Sequence, residues 1–378
     1  MENIIMKNQQ IHNRWLLAAL LIFAFGLNAC RDNGSNSLPS GNSSLAMKAH
    51  MSPSTQVKYL VADTGSFTGA RIDGNLVNAW GIVTRDGNFF VNANGAGVIN
   101  VYDASGNQEH SAITFPSRDS SAGGAPTGIT DNYTADFGGS IIISAGEDGI
   151  IATWSSGNSA TLAVKSPSPT GVYKGIAMAA THGAHYLYAT NFHDAKIDVF
   201  DKNFTPVSGM SFTDPGIPAG FAPFGIANVE GNLVITYAMQ KAPANLDDQA
   251  GPGNGYVDIY SPDGKLIKRL ASQGTLNSPW GITTSEDFGG RRNVILIGNF
   301  GDGTINAFDM NGTFIGQVKD KEGRVVMIEG LWGIKFRDGD EIFRGDGDGR
   351  NHSGLDKLYF AAGPFEENHG TFGYIQTK

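Results

Sequence analysis

Cysteine is almost absent from this 378-residue chain: Cys30 stands alone, so no disulfide can form within it. Charged residues are sparse at 17 %, and the surplus is acidic, with a formal net charge of −9. That balance argues against nucleic acid as a partner, which needs a basic footprint, and is otherwise ordinary for a soluble surface. Apolar stripes at helix spacing are missing after residue 56. No glycine-rich loop therefore opens a helix to cradle a phosphate, and no Gly-x-Ser-x-Gly nucleophile elbow occurs.

Glycine, by contrast, is abundant, with 51 residues, and runs of Val, Ile, Phe and Tyr are frequent. Such a composition suits many short strands joined by tight turns. One tripeptide recurs: Trp80-Gly81-Ile82, Thr127-Gly128-Ile129, Lys174-Gly175-Ile176, Phe224-Gly225-Ile226, Trp280-Gly281-Ile282 and Trp332-Gly333-Ile334. Successive glycines are 47, 47, 50, 56 and 52 residues apart, the period of a blade-type repeat.

Before the repeats, Lys7 and Arg14 precede an apolar run from Trp15 to Leu27, followed by Asn28-Ala29-Cys30. This pattern reads as a secretory signal, too short to span a bilayer. Leu27 and Ala29 before Cys30 resemble the lipobox of bacterial lipoproteins, in which the cysteine is diacylated and becomes the mature N-terminus. The alternative is an ordinary signal peptide that contains a cysteine. The lipobox reading makes 1–29 a lipoprotein signal peptide, Cys30 the lipidation site and 30–55 a Ser/Asn/Gly-rich flexible tether. The expected location is the bacterial cell envelope, with the outer membrane or cell surface favoured because Arg31, not aspartate, follows Cys30. The membrane is then met through the lipid alone, and a monomer is expected.

Residues 56–378 read as six blades. Each opens with its Gly-Ile strand, then gives a second strand (Phe89–Asn92, Ser140–Ser144, Tyr186–Thr190, Leu233–Tyr237, Val294–Gly298, Lys357–Ala361) and a third (Val98–Asp103, Ile150–Ser155, Lys196–Asp201, Tyr256–Ser261, Thr304–Asp309, Phe372–Gln376). A fourth strand completes five blades: Ser111–Phe115, Thr161–Lys165, Pro206–Phe212, Leu266–Leu270 and Phe314–Lys319. The sixth lacks one, and Val57–Ala62 supplies it, which covers both open edges. The tripeptide glycine is placed where inner strands crowd the axis, and its bulky neighbours are placed between blades.

The repeats resemble NHL-type propeller blades. Ala219–Phe224, Ala250–Gly255, Ser278–Gly281, Gly298–Gly303 and Gly330–Gly333 resemble an uncharacterised bacterial family of exported six-bladed propellers. The likeness implies an all-β, NHL-like six-bladed β-propeller closed by the N-terminal strand, in an extracytoplasmic setting, and brings no activity. The Asp-rich Asp338–Asp348 and the lipobox depart from that family's pattern.

In a propeller, the turn between the second and third strands and the link into each first strand share the face around the axial opening. Aligning third strands puts Ala96, Asp148, Asp194, Asn254, Asp302 and His369 at equivalent turn positions. One reading is that they make turns. The other notes Glu147, His193, Asn299, Glu366, Glu367 and Asn368 beside them: oxygens and imidazoles on one mouth would hold Ca²⁺ or a softer metal. The candidate ligand-binding residues are Asn78, Glu147, Asp148, Lys174, His193, Asp194, Asn299, Asp302, Glu367 and His369. Lys174 is expected either to meet an anion or to pair with Glu147 or Asp148. Met239–Gly255, the longest departure from the repeat, reads as a lid, a partner contact or a passive decoration. Asp346 and Asp348 partly resemble a Ca²⁺ loop without its closing glutamate.

The expected function is a lipid-anchored binding or scaffold module taking a protein or small molecule at the axial mouth. The alternative is a metal-dependent, Ca²⁺-using propeller hydrolase, lactonase or lyase. Six-bladed lactonases and phosphotriesterases carry oxygen ligands on their inner strands. Here the leading tripeptide positions offer only Thr127, with Asn78 a little upstream of the first, which counts against that alternative.

Overall fold

The computed structural model describes residues 57–119, 123–285, 293–320, 322–337 and 357–376, all within one compact unit, Met51–Lys378. The expected signal peptide and tether, with Cys30, Asp346 and Asp348, lie outside the described residues.

Six antiparallel sheets account for the repeats. Blade one is Ala79–Arg85, Asn88–Ala93, Val98–Tyr102 and Gln108–Thr114. Blade two is Pro126–Asp131, Ile142–Gly146, Ile150–Trp154 and Thr161–Lys165. Blade three is Tyr173–Thr181, Ala184–Asn191, Lys196–Asp201 and a stub, Pro206–Val207. Blade four is Phe221–Val229, Asn232–Met239, Gly255–Tyr260 and Leu266–Ser272. Blade five is Pro279–Ser285, Val294–Asn299, Ile305–Asp309 and Phe314–Gln317. Blade six is Leu331–Lys335, Lys357–Ala362 and Thr371–Gln376, completed by Val57–Ala62 as expected. Arg71–Ile72 adds an unforeseen fifth strand, parallel to Val61–Ala62.

The ring closes through glycine. A Cβ on each tripeptide glycine would lie no more than 3.0 Å from the backbone of the next blade: Gly81 against Thr127, Gly128 against Gly175, Gly175 against Phe224, Gly225 against Trp280, Gly281 against Trp332 and Gly333 against Trp80. The sixth contact returns to the first blade, so the absence of a side chain at one recurring position sets the inter-blade spacing. Around it, each seam has its own apolar core. Phe89 meets Phe372 between blades six and one, Phe90 meets Ile142 between one and two, and Leu187 meets Ile143 between two and three. Tyr188 and Leu233, Val257 and Ile295, and Leu296 and Phe360 serve the remaining three seams.

The tripeptide isoleucines sit in these seams, but the aromatics before the glycines do not. Trp80, Phe224, Trp280 and Trp332 gather at the axis with Phe192 in a seventh cluster. The pairing of every first strand slips at its tripeptide, a β-bulge repeated six times. A bulge bends the strand and re-aims the side chain beside it.

The seam between blades three and four holds an acid whose pKa burial raises. Asp258 is fully buried; its Oδ1 accepts from Arg269 Nε at 3.3 Å and its Oδ2 from the Tyr260 hydroxyl at 3.3 Å. Asp214 shares the same guanidinium. Burial first and the Asp214 charge second push Asp258 up to about 7, against the pull of Arg269. Since the folded value lies above the unfolded one, stability is full at low pH and declines as pH rises from the ordinary carboxylate range to about 7. Asp258→Asn, which mimics the protonated acid, is expected to flatten that decline, by about 3 kcal/mol between pH 5 and 8. Urea melts of both proteins at pH 5 and 8 check this; equal pH dependence in the two would refute the assignment.

Candidate functional site

At the face where first strands begin, polar side chains from five blades join in one arc. Glu367, on the blade-six turn, accepts through Oε1 from Asn78 Nδ2 at 3.1 Å and from Trp332 Nε1 at 3.2 Å. Asn78 Nδ2 also lies 3.4 Å from Asn94 Oδ1, and Asn94 Nδ2 donates to Glu147 Oε2 at 2.9 Å. Lys174 Nζ donates to Glu147 Oε1 at 2.5 Å and lies 3.4 Å from Asp247 Oδ1 of the long blade-four loop. Below it is an aromatic floor. Trp80 stacks on Trp332 with centroids 3.5 Å apart, Phe300 stacks on Trp332 at 3.9 Å, and the Lys174 ammonium stands 5.1 Å from the Trp80 ring centre.

The blade-four loop crosses this mouth. Gln240 Nε2 donates to the carbonyls of Phe192 at 2.6 Å and His193 at 3.1 Å, and Gly251 N donates to Asn277 Oδ1 at 2.7 Å on the far side. The loop thus runs from the turn of blade three to the link into blade five, with Asp247 at the axis.

No family model matches the sequence. Proteins of Acanthamoeba polyphaga mimivirus do. Uncharacterized protein L690 is 32 % identical over 313 residues, covering 76 % of this chain and 81 % of its own. Uncharacterized protein R648 is 30 % identical over 308 residues, covering 76 % of each. The chain belongs to their family. Among solved structures, a Bacteroides thetaiotaomicron protein of unknown function matches with a TM-score of 0.53 at 13 % identity, over 85 % of this chain and 75 % of that one. At that identity the likeness is one of fold.

For this member of the L690 and R648 family, the mouth assembles Asn78, Glu147, Lys174 and Glu367 of the expected set. The others serve turns and seams. Asp148 accepts from the backbone N–H of Arg118, and Asp194 accepts from Thr170 Oγ1 at 3.1 Å and Asn191 Nδ2 at 3.0 Å and lies 2.8 Å from His193 Nδ1. Asp302 caps its own turn through Thr304 N at 3.0 Å, and Asn299 Nδ2 donates to the Thr275 carbonyl at 2.8 Å. His369 Nδ1 lies 2.8 Å from Asp63 Oδ2, fastening the closing strand. Asn94 was missed. Counting from the end of the second strand, where Ala93 pairs with Val98 and Gly146 with Ile150, makes Asn94 the equivalent of Glu147. Alignment on the third strand had hidden this, because the blade-one turn is one residue longer.

Electrostatics bind the arc together. Burial alone would lower the Lys174 ammonium, but Glu147 and then Asp247 outweigh it and hold it above its ordinary value. Glu147 is held below its ordinary range: burial opposes this, and Lys174 and Asn94 prevail. Burial raises Glu367 and Asp248. No group of three or more His, Cys, Asp or Glu spaced to hold a metal occurs among the described residues. Amides, an indole and a lysine engage the acids of the mouth.

Proposed function

We propose that this propeller is an extracytoplasmic binding module, tethered through a diacylated Cys30, whose ligand docks at the axial mouth. The observation that carries the reading is the arc from Glu367 through Asn78, Asn94, Glu147 and Lys174 to Asp247, which gathers polar groups from five blades over a tryptophan floor. Carboxylates outnumber the single ammonium there, so the ligand is one that presents an amine or guanidinium. Glu367 is the acid least committed to a cation, its bonds coming from the neutral Asn78 and Trp332.

The test titrates the purified protein with spermidine, with arginine amide and with Ca²⁺ by calorimetry. Saturable binding of an amine, weakened at least about tenfold in Glu367→Gln, supports the reading, since one charge-assisted hydrogen bond contributes about that much. No amine binding in the wild type, or binding indifferent to the substitution, rejects the mouth as the site. Stoichiometric Ca²⁺ lost in Glu367→Gln would instead support the metal-dependent hydrolase. Radiolabelled palmitate incorporated by the wild type and not by Cys30→Ala tests the anchor separately.

A further inference from the structure

A cavity of about 370 Å³ occupies the other half of the axial channel, on the far side of the aromatic cluster from the mouth. Its wall is the stretch after each tripeptide glycine, contributed by all six first strands, with Trp280 at its boundary and Tyr133 at its outer lip. That size falls in the range of small-molecule sites.

Two features of the wall indicate what it takes. In every sheet the first strand is terminal, so its axial edge carries amides and carbonyls with no ladder partner. Six such edges present donors and acceptors in a ring, and polar backbone groups in a recess need partners. A ligand rich in hydroxyls can serve as donor and acceptor to both. The second feature is charge. Lys335 lines the cavity half-buried, and no hydrogen bond or ion pair engages its ammonium among the described residues. Arg85 is already occupied: its guanidinium stacks 4.1 Å from the centre of the Tyr133 ring and donates to the Asn132 carbonyl at 2.6 Å. One carboxylate, Asp131, is also on the wall. One uncommitted positive charge on the wall suits a ligand that carries a single carboxylate.

We propose that this cavity is a second binding site, for a small polyhydroxylated carboxylic acid of sugar-acid type, entering from the face opposite the mouth. The carboxylate meets Lys335 and the hydroxyls meet the strand edges. D-Glucuronate and D-glucose make the discriminating pair, being of nearly equal size and differing in one carboxylate. The full chain is titrated with each, followed by calorimetry and by the fluorescence of Trp280 at the cavity boundary.

Saturable glucuronate binding at least about tenfold tighter than glucose is expected, with Lys335→Gln erasing most of the difference and Thr130→Trp, which fills the wall, abolishing binding. Equal affinities for the two sugars, or no saturation by about 10 mM, would overturn the proposal on wild-type protein alone. So would glucuronate binding that survives Thr130→Trp in a variant whose circular dichroism matches the wild type. Lys335→Arg, which keeps the charge, should retain the preference for the acid; loss of the preference there counts against a charge contact. Glu367→Gln, at the mouth, should leave glucuronate binding unchanged, which separates this site from the amine site.

Discussion

Deleting Val57–Ala62 lowers the melting temperature by more than about 10 °C and turns the protein toward aggregation. This is the largest stability effect expected of any short deletion. The strand pairs with Thr371–Gln376 over five residue pairs and buries Leu60, Val61 and Ala62 in the seam between blades six and one. Two aliphatic side chains returned to water cost about 1.5–3 kcal/mol each. Arg71–Ile72 loses its sheet partner at the same time, and Asp63 loses its position opposite His369 and the N–H of Gly370. The sum is about 5 kcal/mol or more, a large share of the 5–15 kcal/mol typical of a folded domain, and each kcal/mol moves a melt by about 2 °C in a chain this long. The third strand of blade six is then an open edge, which templates association. Calorimetry with light scattering measures both effects. A truncated chain that melts with the intact one would show that the ring does not depend on its closing strand. Asp63→Asn, which keeps the strand and weakens only the clasp, should cost about 1 kcal/mol.

The ring was legible because its determinant is periodic. Six Gly-Ile pairs at intervals of about 50 residues state the blade number, and a missing last strand with a spare one at the front states the closure. The glycines sit where backbone meets backbone, a constraint one residue type satisfies, so sequence alone exposes it. The direction of the tryptophans was not legible. A bulge at the tripeptide turns Trp80, Trp280 and Trp332 from the seams to the axis, and the bulge has no residue signature beyond the glycine itself. Arg71–Ile72 escaped for a different reason: two exposed residues show no alternation, and only their proximity to Val61 makes them a strand. Blade three's last strand stops at Val207, well short of Phe212, where Gly209 takes a positive φ and the chain leaves the sheet.

The mouth lay between these cases. A pairing of Lys174 with Glu147 or Asp148 is legible, since a lone charge at a crowded position calls for a partner, but the choice between the two is not. Asn94 and Asp247 are not, because their roles depend on the lengths of two turns and on where an insertion folds. The same logic applies to Asp148, Asp194 and Asp302, for which the sequence offers both a turn and a ligand reading. An aspartate that ties a turn and one that faces a ligand occupy the same place in the repeat, and the hydrogen bonds around them are what separate the two.

The second large effect concerns that pair. Glu147→Ala is expected to destabilise the protein by about 3–5 kcal/mol, because it leaves the Lys174 ammonium, 3 % exposed, without its principal partner. Asp247 remains 3.4 Å away but is 71 % exposed, and at the end of a surface loop it compensates weakly. Lys174→Met should cost less than Glu147→Ala, since Glu147 is 29 % exposed and can turn to water and to Asn94. The double variant Lys174→Met/Glu147→Gln should recover most of the loss, as a packed apolar chain beside a neutral amide removes both desolvated charges. The pH dependence follows from the two shifts. Glu147 titrates below its ordinary 4.5, so its contribution is full above that value and fades as pH falls through the lowered one. Lys174 titrates above its ordinary 10.5, so its contribution is full below that value and is lost only at more alkaline pH. The coupling from the closed cycle of Lys174→Met, Glu147→Gln and their double variant should therefore be constant between about pH 5 and 10 and shrink below about pH 4. A coupling under about 0.5 kcal/mol at pH 7 would mean that the pair contributes no more than an exposed surface contact. In that case the arc, and with it the reading of the mouth as a built site, would lose its physical basis.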